Sequence, residues 1–166
     1  MKTLLLIEDN EEVRENTAEI LELSMYNVIK ASDGKEGIEM AIEHKPDLII
    51  CDIMMPVLDG YGVLHALEKN EEIKNTPFIF LTAKTERSDF RKGMELGADD
   101  YISKPFDPTE LLNSIDRRLR KIEVLKKDYA QDITGFNQLQ QDITTGDPIK
   151  SLVEYRSINK YKKKLA

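Results

Sequence analysis

The chain of 166 residues holds a single cysteine, Cys51, so it has no internal disulfide and no cysteine-based metal cluster. Cys51 lies inside an apolar run, where a buried small hydrophobe is the ordinary reading rather than a reactive thiol. Long apolar runs are missing too: none approaches the roughly 20 residues that span a bilayer. The stretch Leu4-Leu5-Leu6-Ile7 is too short for a signal peptide and meets Glu8-Asp9 at once. The chain is therefore read as cytoplasmic, with no membrane partner. Phosphate loops are lacking as well. Gly93 and Gly97 form neither a GxGxxG nor a P-loop pattern, and Gly97 suits the C′ position after a helix. The histidines, His44 and His65, fall on predicted helices, where exposed or partly packed side chains are the ordinary reading.

Charge is present but unevenly spread. The net charge is -7. Residues 149–166 carry six basic side chains against Glu154 alone, a local +5 that leaves -12 on the remainder. An acidic body is a poor direct binder of nucleic acid. The basic end is expected to be a solvated tail or the opening of a further domain.

Short apolar runs occupy residues 3–7, 27–31, 48–52, 78–82 and 101–103. Leu4-Leu5-Leu6-Ile7, Leu48-Ile49-Ile50-Cys51 and Phe78-Ile79-Phe80-Leu81 are continuous rather than alternating, as in strands buried on both faces of a parallel sheet. Helical patterns separate them, over residues 11–24, from Asp33-Gly34-Lys35-Glu36 onward, after Asp59-Gly60, over 86–96, and from Asp107-Pro108 onward. This β-α alternation predicts a (βα)5 doubly wound sheet with helices on both faces. Ligands of such sheets bind beyond the C-terminal strand ends.

Those ends carry Glu8 and Asp9, then Asp52, then Thr82, then Lys104. Taken singly, each has a plain reading as cap, strand former or surface charge. Together they put three carboxylates, a hydroxyl and an ammonium on one rim. Adjacent carboxylates repel, and a divalent cation relieves the conflict. Oxygen-only donors favour Mg2+ or Mn2+ over Zn2+. A carboxylate beside such a cation suits nucleophilic attack on phosphorus, with Lys104 and Thr82 steadying the phosphoryl oxygens.

The motifs Leu6-Ile7-Glu8-Asp9, Asp47 through Pro56, Asp59-Gly60, Leu81-Thr82-Ala83, Gly97 through Tyr101 and Lys104-Pro105-Phe106 resemble the receiver domains of two-component response regulators. The resemblance covers residues 3 to about 124 and implies a flavodoxin-like strand order, 2-1-3-4-5. It implies that Asp52 is the phosphoacceptor. Asp9, Asp52 and the backbone carbonyl of Met54 would ligate Mg2+ directly, with Glu8 acting mainly through water. Thr82 and Lys104 would hold the phosphoryl group, and Tyr101 would be the aromatic switch that turns inward with Thr82. A cis Lys104–Pro105 bond is expected. Met54 and Lys84 would flank the path of hydrolytic water, and a bulky Met54 implies a long phosphoryl lifetime. Implied partners are a sensor histidine kinase or phosphotransfer protein, and a second copy meeting through the fourth helix, fifth strand and fifth helix. DNA would enter only through a further, output domain. The implied chemistry stops at Mg2+-dependent self-phosphorylation and self-dephosphorylation, so the chain is not read as an enzyme.

Three other readings compete for the same residues. An aspartyl-phosphate phosphatase needs an acid two places after Asp52, where Met54 stands. A flavin binder needs a Ser/Thr/Gly-rich loop after the first strand. A degenerate, purely protein-binding receiver does not need the complete rim. The domain reading is a receiver over residues 1–124 and a helical linker or extension over 125–166 that opens an output domain. The last helix is expected to reach about Asp128, with Gly135 as a break, a short helix over 136–144 and another from Asp147-Pro148.

Overall fold

The computed structural model describes residues 1–83, 94, 95 and 97–145. Its elements are β1 (Thr3–Ile7), α1 (Glu11–Leu23), β2 (Asn27–Ala31), α2 (Gly34–His44), β3 (Leu48–Cys51), α3 (Gly60–Glu68), β4 (Phe78–Thr82), β5 (Asp100–Ser103) and α4 (Pro108–Thr145). The five strands pair in parallel in the order β2-β1-β3-β4-β5. This is the doubly wound, flavodoxin-like sheet expected from the sequence.

The continuous apolar runs become the sheet's two buried faces. Leu5, Ile7, Ile49, Cys51, Phe78 and Phe80 meet Ala41 of α2 and Val63, Leu64 and Leu67 of α3. The alternate residues Leu4, Leu6, Leu48, Ile50, Ile79 and Leu81 meet Ala18 and Leu21 of α1 and Leu111, Ile115 and Leu119 of α4. Each fully buried Leu or Ile is worth about 1.5–3 kcal/mol. The period of two along each strand thus divides the core between its two helical layers.

Caps fix where the helices start, and so where the loops at the strand ends run. Asn10 Oδ1 accepts from the Val13 N–H (3.1 Å) to open α1. Asp33 accepts from the N–H groups of Lys35 and Glu36 to open α2. Glu36 reaches back to the Ser32 N–H at 2.6 Å, so the reciprocal half of the box falls on Ser32. Asp59 accepts from the Gly62 N–H (2.8 Å) to open α3. Asp107 accepts from the Thr109 N–H (2.7 Å), with Pro108 as the first residue of α4.

The strand bounds move by one residue in two places. β3 stops at Cys51, leaving Asp52 in the loop beyond it, and β5 begins at Asp100. A larger correction concerns the last helix, which is the fifth one expected. It runs through Gly135 to Thr145 without the predicted break. A single interior glycine costs only about 1 kcal/mol relative to alanine, too little to end a long run of helix formers. The helix expected over 86–96 lies outside the described residues except for Met94 and Glu95, which are helical. Lys84, Gly93, the helix from Asp147-Pro148 and the basic end also lie outside them. Gly97 has φ +90° and its N–H donates to the Met94 carbonyl (3.1 Å), the expected left-handed C′ position. Met1–Arg120 forms one compact unit and the chain from Lys121 a second. Among the described residues no helix is long and apolar enough to cross a membrane.

Candidate functional site

The parallel register brings four strand ends to one rim. The Glu8 N–H donates to the Ala31 carbonyl of β2 (3.1 Å), and the Asp52 N–H donates to the Ile7 carbonyl (2.9 Å). The Lys104 N–H donates to the Thr82 carbonyl at 2.8 Å. Each functional side chain therefore leaves a backbone that the sheet's own ladder has just fixed. The Lys104–Pro105 peptide is cis, as expected.

Glu8, Asp9 and Asp52 offer carboxylate oxygens that all lie within 4.8 Å of one another. Glu8 and Asp52 are buried, whereas Asp9 is exposed. Lys104 answers part of this charge. Its Nζ lies 2.5 Å from Glu8 Oε2 and 3.4 Å from Asp52 Oδ2. Burial nevertheless pushes the Glu8 carboxyl above its ordinary 4.5, against the opposing hydrogen bond and charge of Lys104. One ammonium does not neutralise three carboxylates.

The decisive atom is Asp52 Oδ1, which is buried and has no hydrogen-bond partner among the described residues. A desolvated carboxylate oxygen without a partner is costly. It lies in an all-oxygen cluster, the donor chemistry of a hard cation with open positions. The residues present thus fit Mg2+ on geometry and on donor type.

The other expected site residues stand at the end of β4, on β5 and in the loop beyond β3. Thr82 is the last residue of β4 and is fully buried. Tyr101 stands on β5, half-buried, with its ring edge-on to Phe80 at 6.3 Å and 62°. Met54 lies in the loop after Asp52 with its side chain 58% exposed. That loop is folded by the N–H groups of Met55 and Gly60, both donating to the Ile53 carbonyl. Cys51 is fully buried, and burial pushes its thiol well up, which fits an inert core residue.

Three contacts were not legible in the sequence, although Gly60 and Asp100 stand within motifs quoted from it. Gly60 lets α3 approach the end of β3 so closely that a Cβ there would stand 2.4 Å from the Asp52 carbonyl oxygen. Arg14 Nη1 donates to the Glu8 carbonyl at 2.8 Å. Asp100 joins β5 to α4 through Ser114 Oγ (2.5 Å) and Arg118 (3.3 Å). Residue order marks none of these contacts, because each joins two elements.

Comparison with known proteins gives one consistent result. Residues 4–116 match the response regulator receiver domain family. A probable transcriptional regulator, ycf27, of Guillardia theta is 38% identical over 143 residues, covering 84% of this chain and 55% of the relative. The alkaline phosphatase synthesis transcriptional regulatory protein PhoP of Bacillus subtilis is 42% identical over 123 residues, covering 74% of this chain and 50% of the relative. The chain thus spans about half the length of these relatives. Among solved structures, a putative response regulator from Chloroflexus aurantiacus aligns with a TM-score of 0.69 at 34% identity, covering 72% of this chain and 98% of that one. A response regulator receiver domain protein from Clostridium thermocellum aligns with a TM-score of 0.71 at 26% identity, covering 75% and 99%.

Proposed function

The chain belongs to the response regulator receiver domain family, and from that premise we propose that it is a phosphoryl-operated switch with Asp52 as the phosphoacceptor. The donor is a phosphohistidine on a sensor kinase or phosphotransfer protein. A carboxylate oxygen of Asp52 attacks phosphorus, the O–P bond forms as the P–N bond breaks, and the imidazole leaves with the electron pair and takes up a proton. Glu8, Asp9, Asp52 and the Met54 backbone carbonyl would hold Mg2+, which when bound supplies positive charge to the transferring oxygens. Lys104, already between Glu8 and Asp52, supplies a second cation from the protein itself.

The new acyl phosphate then offers acceptor oxygens at the end of β4. Thr82 donates its hydroxyl to one of them, and Tyr101 turns inward into the space so opened. The surface of the helix expected over 86–96, of β5 and of α4 is thereby altered, and a second copy of the chain is the partner proposed for it. Self-phosphorylation and self-dephosphorylation are its only chemistry, because Met54 stands where a phosphatase would need a general acid. Because the matched relatives are named transcriptional regulators, we assign the switch to transcription control in the cytoplasm, through an output domain that contacts DNA.

One observation carries this reading: Asp52 Oδ1, without a partner among the described residues, lies within the carboxylate cluster, with Lys104 at 3.4 Å from the other oxygen of Asp52. The test is modification by acetyl phosphate, read by intact-protein mass, with and without Mg2+. The expected result is one Mg2+-dependent phosphoryl adduct that disappears in Asp52→Asn. An adduct that forms equally in EDTA, or that survives Asp52→Asn, would sink the proposal.

A further inference from the structure

Asp9 is the exposed member of the carboxylate cluster, and among the described residues its side chain has no hydrogen bond or ion pair that would hold it in place. Its position therefore depends on the peptide that precedes it. That peptide is held at its carbonyl, where Arg14 Nη1 donates to Glu8 O at 2.8 Å. The N–H of Glu8 is fixed on the other side by the Ala31 carbonyl (3.1 Å), and its carboxylate by Lys104.

Arg14 sits in the first turns of α1, whose first turn also carries Glu11 and Glu12. Helical side chains lean toward the helix N-terminus, so the guanidinium reaches back past the Asn10 cap to the end of β1. A cation there opposes the helix dipole, so its placement calls for a local reason. A tight ion pair is not that reason. Glu15 is 3.9 Å from Arg14 Nε and takes Lys30 at 2.7 Å instead. The Arg14 side chain is only 14% exposed. Its close hydrogen bond goes to the backbone of the site.

We propose that Arg14 is a positioning residue of the cation site, fixing the Glu8–Asp9 peptide so that Asp9 enters the cluster already aimed. The inference rests on the reading of Glu8, Asp9 and Asp52 as Mg2+ ligands. It has a sign that a simple charge effect lacks. If Arg14 acted only through its charge, removing it beside a cation site would tighten Mg2+ binding. If it acts by position, removing it weakens binding. Lysine keeps the charge but offers a less rigid donor than the planar guanidinium.

The experiment is calorimetric titration of Mg2+ into the full chain, comparing wild type with Arg14→Met and Arg14→Lys, alongside thermal unfolding in EDTA. Loss of an outer contact of this kind predicts a dissociation constant about tenfold weaker for Arg14→Met, with Arg14→Lys in between. Met affinity equal to or tighter than wild type overturns the proposal. So does a fall in melting temperature in EDTA with no change in Mg2+ affinity, which is the mark of a purely structural role. If Arg14→Met does not fold, Arg14→Lys decides: weaker binding supports the proposal and unchanged binding overturns it. A wild-type chain that binds no Mg2+ removes the reading of the site itself, and the role of Arg14 with it.

Discussion

A methyl group added at Gly60 would meet the Asp52 carbonyl oxygen at 2.4 Å and Ile53 Cα at 2.9 Å. Both are backbone atoms, so neither moves cheaply, and both belong to the segment that carries Asp52. Gly60→Ala is expected to destabilise the chain by about 1–3 kcal/mol in urea unfolding. It should also slow phosphorylation by acetyl phosphate; a variant as stable and as reactive as wild type would show that the loop yields freely. In the sequence this glycine reads as part of a helix start and of the Asp59-Gly60 motif, but a close approach leaves no mark on residue order. Glu8, Asp9, Asp52, Thr82 and Lys104 were legible because the parallel sheet itself gathers strand ends. Met54 adds a second prediction at this scale. Its exposed side chain lies two residues beyond Asp52, where an apolar chain offers an attacking water no hydrogen bond. Met54→Asn should shorten the phosphoryl half-life severalfold, measured by loss of phosphate from the isolated adduct. Equal decay would remove Met54 from the account of lifetime.

Between elements, the most informative contact is the clasp of β5 on α4. Asp100 accepts from Ser114 Oγ at 2.5 Å and from the Tyr101 N–H at 3.0 Å, and lies 3.3 Å from Arg118. Burial opposes its charge, but these donors and the Arg118 guanidinium outweigh burial and hold Asp100 below its ordinary 3.8. The folded carboxyl thus gives up its proton more readily than the unfolded one. Its contribution is complete above 3.8 and is lost as pH falls through the lowered folded value. Asp100→Asn should therefore cost about 1–2 kcal/mol at neutral pH, and the gap from wild type should close as pH falls below 3.8. A gap that does not depend on pH would mean that shape, not charge, makes the clasp. Sequence pattern located the strands to within a residue because burial on both faces demands continuous apolar runs. It did not find this clasp: Ser114 and Arg118 share a helix face at i,i+4, but nothing in residue order joins that face to Asp100. It also ended the last helix too soon by treating Gly135 as decisive, when the cost of one glycine is spread over a long helix.

At the scale of the whole chain, the question is how much of it the switch needs. Both core layers close within Met1–Arg120, with Leu119 the last residue of the second layer. Farther along α4, Val124, Leu125 and Ile133 are 56%, 57% and 47% exposed. Side chains so placed contribute little to the stability of the sheet and its helices, and every rim residue precedes them. A chain cut after residue 124 is therefore expected to unfold in one cooperative transition. Its stability should lie within about 1 kcal/mol of that of the full chain, the scale of changes away from a core. It should accept a phosphoryl group at Asp52 with the same Mg2+ dependence. The comparison separates two roles for the long helix. If the short chain unfolds broadly, or loses phosphorylation, the extension is part of the receiver's own fold. If it keeps both, the exposed apolar residues of α4 are free to serve whatever the phosphoryl group controls, because the chemistry at Asp52 does not require them.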